Sequence, residues 1–222
     1  MQEVLRLQKG DLCLLIDGAG RSAEARVSGE TSQGLACLIV EKLTSKIKES
    51  SMLSLRIYPA LLQKGKIDGL VEKAQELAVE EICPLETKHT VLKMDGNAKI
   101  KVLGRWQKIA QAAAKQSGVS RLVNIQSPQK FEKAVAEVPE NESAVLFHPC
   151  EKAEAFKDWA RGLTPGETLH LFLGPEGGFS DSEVAFFSAR HGKKNIVQLG
   201  ETLLRADTAF IGVVSALRFL FP

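Results

Sequence analysis

The sequence predicts an α/β protein whose main domain has a mostly parallel sheet and is preceded by a small β-rich domain. From Asp68 onward, short apolar segments alternate with amphipathic helical patterns, which is typical of a parallel sheet covered on both faces. Ahead of Lys64 only short strand-like segments occur, separated by glycine-rich turns. Hydrophobic residues make up 44% of the chain and charged residues 25%, a composition that excludes intrinsic disorder and a small disulfide-rich scaffold.

The first part of the chain is predicted to form an antiparallel sheet or a small barrel. Its strand-like segments are residues 12–16, 23–27 and 35–40, and a further predicted strand at residues 53–58 leads out of it. Asp17-Gly18-Ala19-Gly20 and Thr31-Ser32-Gln33-Gly34 supply turns between the first three of them. Lys64-Gly65-Lys66 marks the predicted boundary, so the two domains are expected to cover residues 1–66 and 67–222.

The second part of the chain is predicted to alternate strands and helices. A helix capped by Asp68 would bury one apolar face, formed by Leu70, Val71, Ala74, Leu77 and Ala78. Gly118 and Gly162 are predicted to end helices, and Ser180 with Glu183 has the form of a capping box. The predicted strands are residues 81–84, 122–125, 144–148, 168–173 and 195–199. The predicted helices are residues 68–78, 100–117, 131–138, 151–161, 181–191 and 207–220.

No segment predicts export or a membrane span. The apolar run at residues 209–221 is too short to cross a bilayer and contains Arg218. Glu3 and Arg6 interrupt the order that a signal peptide requires. The cysteines at 13, 37, 83 and 150 form no Cys-x-x-Cys pair, so we expect reduced thiols in a cytoplasmic protein, without a metal site.

Positive charge is concentrated between Lys88 and Arg121, where eight basic residues accompany one acid, Asp95. Such a segment suits a polyanion, although a solvated basic helix face remains the alternative. If nucleic acid binds here, the candidate contacts are Lys99, Lys101, Arg105, Lys108 and Arg121.

Two junctions between a predicted strand and a helix carry the strongest signal for a ligand site. Residues 174–180 follow the buried strand 168–173 and contain three glycines, which let backbone amides approach a ligand closely. Residues 199–205 follow the next strand and place Arg205 ahead of a helix that Asp207 or Thr208 can cap. Neither junction matches a phosphate-binding glycine motif, which disfavours a nucleotide phosphate site. The alternative for the first junction is a tight turn with a helix cap.

The sequence motifs at these junctions resemble those of the ribosomal RNA small subunit methyltransferase E family, which belongs to the SPOUT class. The resemblance rests on Gly174-Pro175-Glu176-Gly177-Gly178-Phe179-Ser180, followed by Leu199-Gly200, Leu203-Leu204-Arg205 and Thr208-Ala209. It continues upstream in Lys73-Ala74-Gln75-Glu76-Leu77, Ile82-Cys83-Pro84-Leu85, Arg105-Trp106, Gln116-Ser117-Gly118 and Val4-Leu5-Arg6. The match therefore runs in order along nearly the whole chain.

The resemblance implies a trefoil-knotted methyltransferase domain, preceded by a PUA-like β-barrel domain, and a homodimer. It implies S-adenosylmethionine as cofactor, no metal, and ribosomal RNA or the small ribosomal subunit as partner, with N3-methyluridine as the product. The cofactor residues that it implies are Leu173, Gly174, Pro175, Glu176, Gly177, Gly178, Leu199, Gly200, Leu203, Leu204, Arg205, Thr208 and Ala209. Arg205 is expected to stabilise negative charge on the base or to grip a phosphate. Glu176 is expected to orient the base or to accept amides at the helix start.

The sequence also departs from the family pattern. Members usually carry a further strand and a histidine before the Val-Leu-Arg word, so the first domain is expected to be shortened. Ala78 stands where glycine is usual, Asp207 where glutamate is usual and Val119 where arginine is usual. Two other functions stay open at this point, a 2′-O-ribose methyltransferase of the same class and a non-catalytic RNA-binding or ribosome-associated module.

Overall fold

The computed structural model describes residues 7–32, 34–43, 52–63, 65–150 and 153–222. The strands are β1 Leu12–Ile16, β2 Ser22–Thr31, β3 Gly34–Leu43, β4 Ser54–Pro59, β5 Glu81–Ile82, β6 Leu85–Glu86, β7 Asn124–Ile125, β8 Gln129–Lys130, β9 Ser143–Phe147, β10 Glu154–Ala155, β11 Thr168–Leu173 and β12 Ile196–Gln198. The helices are α1 Lys66–Glu76, α2 Gly96–Ser117, α3 Phe131–Glu137, α4 Phe156–Arg161, α5 Asp181–His191 and α6 Ala206–Leu220. Nearly all of the strands and helices predicted after Asp68 are therefore confirmed in type.

A parallel sheet forms the centre of the molecule. Among the described residues it has seven strands in the order β10-β12-β9-β11-β4-β5-β7, all parallel. Leu173 at the end of β11 pairs in register with Pro59 on one side and Phe147 on the other. The carboxyl ends of these strands therefore lie at one edge of the sheet, where the loops that follow them meet.

The two faces of the sheet are covered by separate apolar layers. Side chains alternate along a strand, so Leu169, Leu171 and Leu173 point to one face while His170 and Phe172 point to the other. On the first face they pack with α1, α2 and α6, including the fully buried Trp106 and Phe210. On the second face they pack with α3 and α5, through buried side chains that are Phe131, Val135 and Phe187.

A separate antiparallel sheet precedes the parallel one, as the sequence predicts. Its strand order within the described residues is β1-β2-β3, and β2 and β3 are longer than expected because the ladder continues through two bulges. The Asp17–Gly20 turn joins this sheet to the larger one, since Leu122 donates to Gly18 O at 2.9 Å and Gly20 donates to Ser120 O at 3.2 Å.

The strand predicted at residues 53–58 leads out of the small sheet, as expected, and belongs to the larger one. The structure places it as β4 in the middle of the parallel sheet, between β11 and β5. Its side chains Leu55 and Ile57 are fully buried there, within the apolar layer on the first face of the sheet. β4 thus lies within residues 1–66, the predicted extent of the first domain, although it pairs with strands that follow this range. Lys64 and residues 1–6, with the Val-Leu-Arg word, lie outside the described residues.

Several helix boundaries differ from those predicted. Asp68 lies in the first turn of α1 and accepts from Arg105 Nη2 and Trp106 Nε1, so it holds α2 and does not cap α1. Neither Asp207 nor Thr208 caps α6, whose N-cap is Arg205. The helix predicted over residues 151–161 begins only at Phe156, and its first two positions lie outside the described residues.

The predicted helix signals at Gly118 and Ser180 are confirmed. Gly118 ends α2 with φ 76°, and Ser180 forms a capping box with Glu183. In the part of the chain that the structure describes, no helix is long and apolar enough to cross a bilayer.

Candidate active site

The loops after β9, β11 and β12 enclose a cavity of about 330 Å³ at the carboxyl edge of the parallel sheet. We call it the loop cavity. Its lining residues are 147–149, 173–178, 197–204, 206 and 209. Both strand–helix junctions that stand out in the sequence therefore reach one cavity, because β9 alone separates β11 from β12. Its volume lies within the range of small-molecule sites.

Most of the predicted cofactor residues line this cavity. They are Leu173, Gly174, Pro175, Glu176, Gly177, Gly178, Leu199, Gly200, Leu203, Leu204 and Ala209. Arg205 and Thr208 do not line it. Arg205 is exposed and lines a neighbouring pocket, and Thr208 is exposed at the start of α6.

The loop after β9 also contributes Phe147, His148 and Pro149, which sequence reasoning missed. Only the strand order could have found them, since β9 lies between the two strands with the recognised loops. The Nδ1 atom of His148 is buried and has no hydrogen-bond partner among the described residues. Burial lowers the pKa of His148, and the nearby Asp181 opposes that shift. Its ring is therefore neutral near pH 7 and offers one unpaired polar atom in the cavity wall.

The glycine loop, residues 174–178, requires glycine for steric and conformational reasons. A Cβ on Gly174 would lie 3.3 Å from the Phe179 ring, and Gly178 has φ 69°. A Cβ on Gly177 would lie 3.2 Å from His89 Cβ, so a larger residue there would press on His89. The loop is anchored by the capping box of α5, in which the buried Glu183 accepts from Ser180 N at 2.8 Å.

A second pocket adjoins the loop cavity across the glycine loop. We call it the outer pocket. It is lined by Leu61, Gln63, Lys66, His89, Val91, Pro175, Glu176, Gly177 and Arg205. Lys66 Nζ donates to Glu176 Oε1 at 2.7 Å, and this bond, with one from the Glu176 amide, lowers the pKa of Glu176. Glu176 thus pairs with Lys66, and the expected role of accepting amides at the helix start falls to the Ser180–Glu183 capping box.

Arg205 makes no hydrogen bond or ion pair through its side chain with any residue that the structure describes, Glu201 and Asp207 included. The Asp207 carboxylate accepts instead from Thr208 N at 3.0 Å. The guanidinium of Arg205 is therefore available to a ligand in the outer pocket.

The residues predicted to contact RNA differ in whether they form ion pairs within the protein. Lys99 pairs with Glu86 at 2.7 Å and Arg105 with Asp68 at 2.8 Å. Lys101 and Lys108 are exposed on α2 and have no ion-pair partner among the described residues. Arg121 is exposed where the small sheet meets the larger one, next to Gly20.

Within the described ranges, no group of His, Cys, Asp and Glu side chains could hold a metal ion. Cys83 is buried and Cys150 is partly buried, while Cys13 Sγ and Cys37 Sγ lie 3.9 Å apart on the small sheet.

In comparisons with known proteins, this chain is similar to RNA methyltransferases. Residues 48–218 match the family model described as an RNA methyltransferase domain. The ribosomal RNA small subunit methyltransferase E of Bacillus subtilis is 26% identical, over 97% of this chain and 84% of its own length. The ribosomal RNA small subunit methyltransferase E 2 of Borreliella burgdorferi is 30% identical, over 94% of this chain and 82% of its own.

Solved structures share the fold along almost the whole chain. A Legionella pneumophila methyltransferase in complex with the bound cofactor SAM is 25% identical, with a TM-score of 0.83 over 99% of this chain and 87% of that one. A ribosomal RNA small subunit methyltransferase E from Neisseria gonorrhoeae, bound to S-adenosyl methionine, shares the fold with a TM-score of 0.85 at 23% identity, over the same shares.

Proposed function

The chain belongs to the ribosomal RNA small subunit methyltransferase E family, and from that membership we propose that it transfers a methyl group from S-adenosylmethionine to N3 of a uridine in small-subunit ribosomal RNA. The observation that carries the proposal is the loop cavity, which two family-like loops build beside a pocket containing the Arg205 guanidinium. The reaction belongs in the cytoplasm, where ribosomal RNA is found.

The loop cavity fits S-adenosylmethionine in size and chemistry. Its wall is largely apolar, through Leu173, Leu199 and Leu203, and backbone from the glycine loop lies open to it. The buried Nδ1 of His148 offers one polar contact. The cofactor supplies an electrophilic methyl group on sulfur. It carries no phosphate, which agrees with the lack of a phosphate-binding motif in these loops.

The outer pocket is the proposed site of the target base. N3 of uracil carries a proton, so the site has to remove it and stabilise the negative charge that develops. Arg205 would donate to that charge, since its guanidinium has no other partner among the described residues. The Glu176 carboxylate pairs with the Lys66 ammonium, and this pair would orient the base.

Beyond the site, the proposal divides the chain into an RNA-binding unit and a knotted methyltransferase domain. The first is PUA-like, contains β1–β3, and ends before β4, which is a strand of the second. The knot is proposed from the family resemblance; α6, which follows β12, packs on β4 and β11 on the other side of β9. The chain has to cross β9 between the two. Lys101, Lys108 and Arg121 would then guide the RNA across α2 and the junction of the two sheets.

A homodimer without metal completes the proposal. The side chains that support it are exposed, apolar and clustered around α6 and the loop before it; they are Leu203, Leu204, Ile211, Phe219 and Leu220. Large exposed apolar side chains at neighbouring positions indicate a protein interface.

Two measurements test the function. Isothermal titration calorimetry should show S-adenosylmethionine binding, and absence of binding at millimolar cofactor would favour a non-catalytic RNA-binding module. Nucleoside mass spectrometry of ribosomal RNA should show N3-methyluridine lost in cells lacking the protein and restored by the wild-type chain. Loss of a 2′-O-methylated nucleoside in its place would identify the ribose methyltransferase alternative.

A further inference from the structure

We propose that His89 is the general base of the reaction, accepting the N3 proton of the target uridine at its Nε2 atom in the outer pocket. The proposal rests on the proposed function. Methylation at N3 needs a group that accepts the N3 proton, and the family-like motifs do not supply one. His89 lies 88 residues before Gly177 in sequence, yet its ring contacts the glycine loop.

The backbone around His89 is fixed on both sides. Residues 87–90 form a turn in which Thr87 N donates to Thr90 Oγ1 at 3.0 Å and Thr90 N donates to Thr87 O at 3.2 Å. Lys88 N donates to Glu183 Oε1 at 2.8 Å. Because Glu183 also anchors the glycine loop, one buried carboxylate holds both the histidine and the loop. This arrangement keeps the catalytic geometry in place before substrate binds.

The hydrogen bonds of the ring assign its tautomer. His89 Nδ1 lies 3.1 Å from Gly177 O and 3.1 Å from Gly178 O. Carbonyl oxygens only accept, so Nδ1 carries the hydrogen. In the neutral ring Nε2 then has a free lone pair, since both hydrogen bonds of the ring to described residues use Nδ1. A histidine oriented in this way is a proton acceptor, as in other sites where a second group fixes the tautomer.

The surroundings suit a substrate base that becomes an anion. The charged side chains lining the outer pocket are Lys66, Arg205 and Glu176, two cations against one carboxylate, and Lys88 lies next to His89 on the turn. Leu61 and Val91 supply apolar surface for the faces of the uracil ring, and Gln63 supplies an amide. Lys66 and Arg205 would stabilise the negative charge that develops on the uracil ring.

The proton of N3 passes to His89 Nε2, and N3 keeps the electron pair of its N–H bond. N3 uses that pair to form the bond to the methyl carbon, while sulfur keeps the pair of the bond that breaks. The imidazolium then releases the proton to water, which restores the neutral tautomer with hydrogen on Nδ1.

The first test measures the tautomer in the free protein, without cofactor. In ¹⁵N-labelled protein, two-bond proton–nitrogen correlation spectra distinguish Nδ1–H from Nε2–H rings, and the His89→Asn variant identifies the His89 signals. We expect the Nδ1–H tautomer near neutral pH. An Nε2–H ring would overturn the proposal, because the proton-accepting atom would then already be occupied.

The second test separates a proton acceptor from a residue that only holds the loop. The amide N–H of Asn in His89→Asn can replace Nδ1–H toward Gly177 O and Gly178 O, whereas His89→Ala removes both functions. We expect His89→Asn to keep its S-adenosylmethionine affinity in calorimetry while single-turnover methylation of unmethylated small ribosomal subunits falls by about 10²–10⁴-fold. Added imidazole should restore part of the rate of His89→Ala. His191→Asn, the same change at the far end of α5, is the matched control and should methylate normally.

The outcomes also separate this inference from the proposed function. If wild-type protein produces N3-methyluridine and His89→Asn does so at the wild-type rate, His89 only holds the loop and the inference is wrong. If wild-type protein forms a different methylated nucleoside, or none, the proposed function itself has failed. Loss of cofactor binding in His89→Asn would likewise count against a role as base, because the change would then act through the loop.

Discussion

Ala78 has a left-handed backbone conformation, with φ 51°, at the end of α1. A side chain with a Cβ is strained there, so glycine would fit this position with less strain. The carbonyls around it are satisfied by Arg218, which donates to Leu77 O, Ala78 O and Leu53 O at 2.6–2.8 Å. Burial lowers the pKa of Arg218 to about 10, so it stays charged at neutral pH and joins α1, β4 and α6.

Replacing Ala78 with glycine should stabilise the protein by about 0.5–1 kcal/mol, because the relief of left-handed strain exceeds the added freedom of the unfolded chain. The measurement is urea unfolding. Ala112→Gly in the exposed face of α2 is the matched control and should destabilise by about 1 kcal/mol, since helix interiors disfavour glycine. Equal destabilisation in both variants would show that the conformation of Ala78 carries no strain.

At the scale of single elements, helix α2 has one face that is buried against the rest of the protein and one that is exposed to solvent. Trp106, Ala110, Ala113 and Ala114 are buried, and Asp95 caps the helix by accepting from Ala98 N. Ion pairs hold Lys99 and Arg105 to neighbouring elements. Lys101 and Lys108 form no such pair with the described residues, so they can be neutralised without disturbing the fold.

The Lys101→Gln, Lys108→Gln double variant should bind single-stranded ribosomal RNA with a weaker salt dependence. Removing one phosphate-binding cation flattens the slope of log affinity against log salt by about 0.7, so we expect a change of about 1.4 for the pair. Fluorescence anisotropy across a salt series measures it. Lys133→Gln on α3, whose partner is Glu137, is the control. A slope equal to that of the wild type would identify this face of α2 as merely solvated.

At the scale of the whole molecule, protonation of three histidines is expected to destabilise the folded state. Burial lowers the pKa values of His148, His170 and His191 from an ordinary value of 6.5. For His170 the contact with Glu142 at 2.5 Å opposes this shift, and burial outweighs it. The unfolded chain then binds more protons than the folded one below pH 6.5.

The free energy of unfolding should therefore be at its full value above about pH 6.5 and decrease as the pH falls toward 5. Lowered carboxyl pKa values, such as that of Asp17, act only at lower pH, near 3.8 and below. Urea unfolding at several pH values measures the slope, and His170→Gln should make it shallower. Stability that increases between pH 7 and 5 would contradict this account.

The two ends of α6 separate folding from assembly. Phe210 is fully buried in its own chain, whereas Phe219 is 81% exposed. We expect Phe219→Asp to give folded monomers and Phe210→Asp to unfold the chain, because only the second buries an unpaired charge within one protomer. Light scattering and circular dichroism distinguish the two results. A monomeric wild type at micromolar concentration would remove the dimer from the proposal.

The sequence by itself determined the kinds of elements and the loops that matter. Alternating apolar segments, the Ser180 capping box and Gly118 report the burial and the ends of one element at a time, and these are local properties of the chain. The glycine loop and residues 199–205 could be recognised for the same reason, since their residue types are tied to turns that follow strands.

Only the tertiary structure decided which elements meet. It placed β4 in the parallel sheet, brought His148 into the loop cavity through β9, and set His89 against Gly177. These contacts join residues far apart in sequence, and they depend on strand order and on packing across the whole sheet. A periodic pattern records that a side chain is buried, but it carries no information about the partner against which it packs.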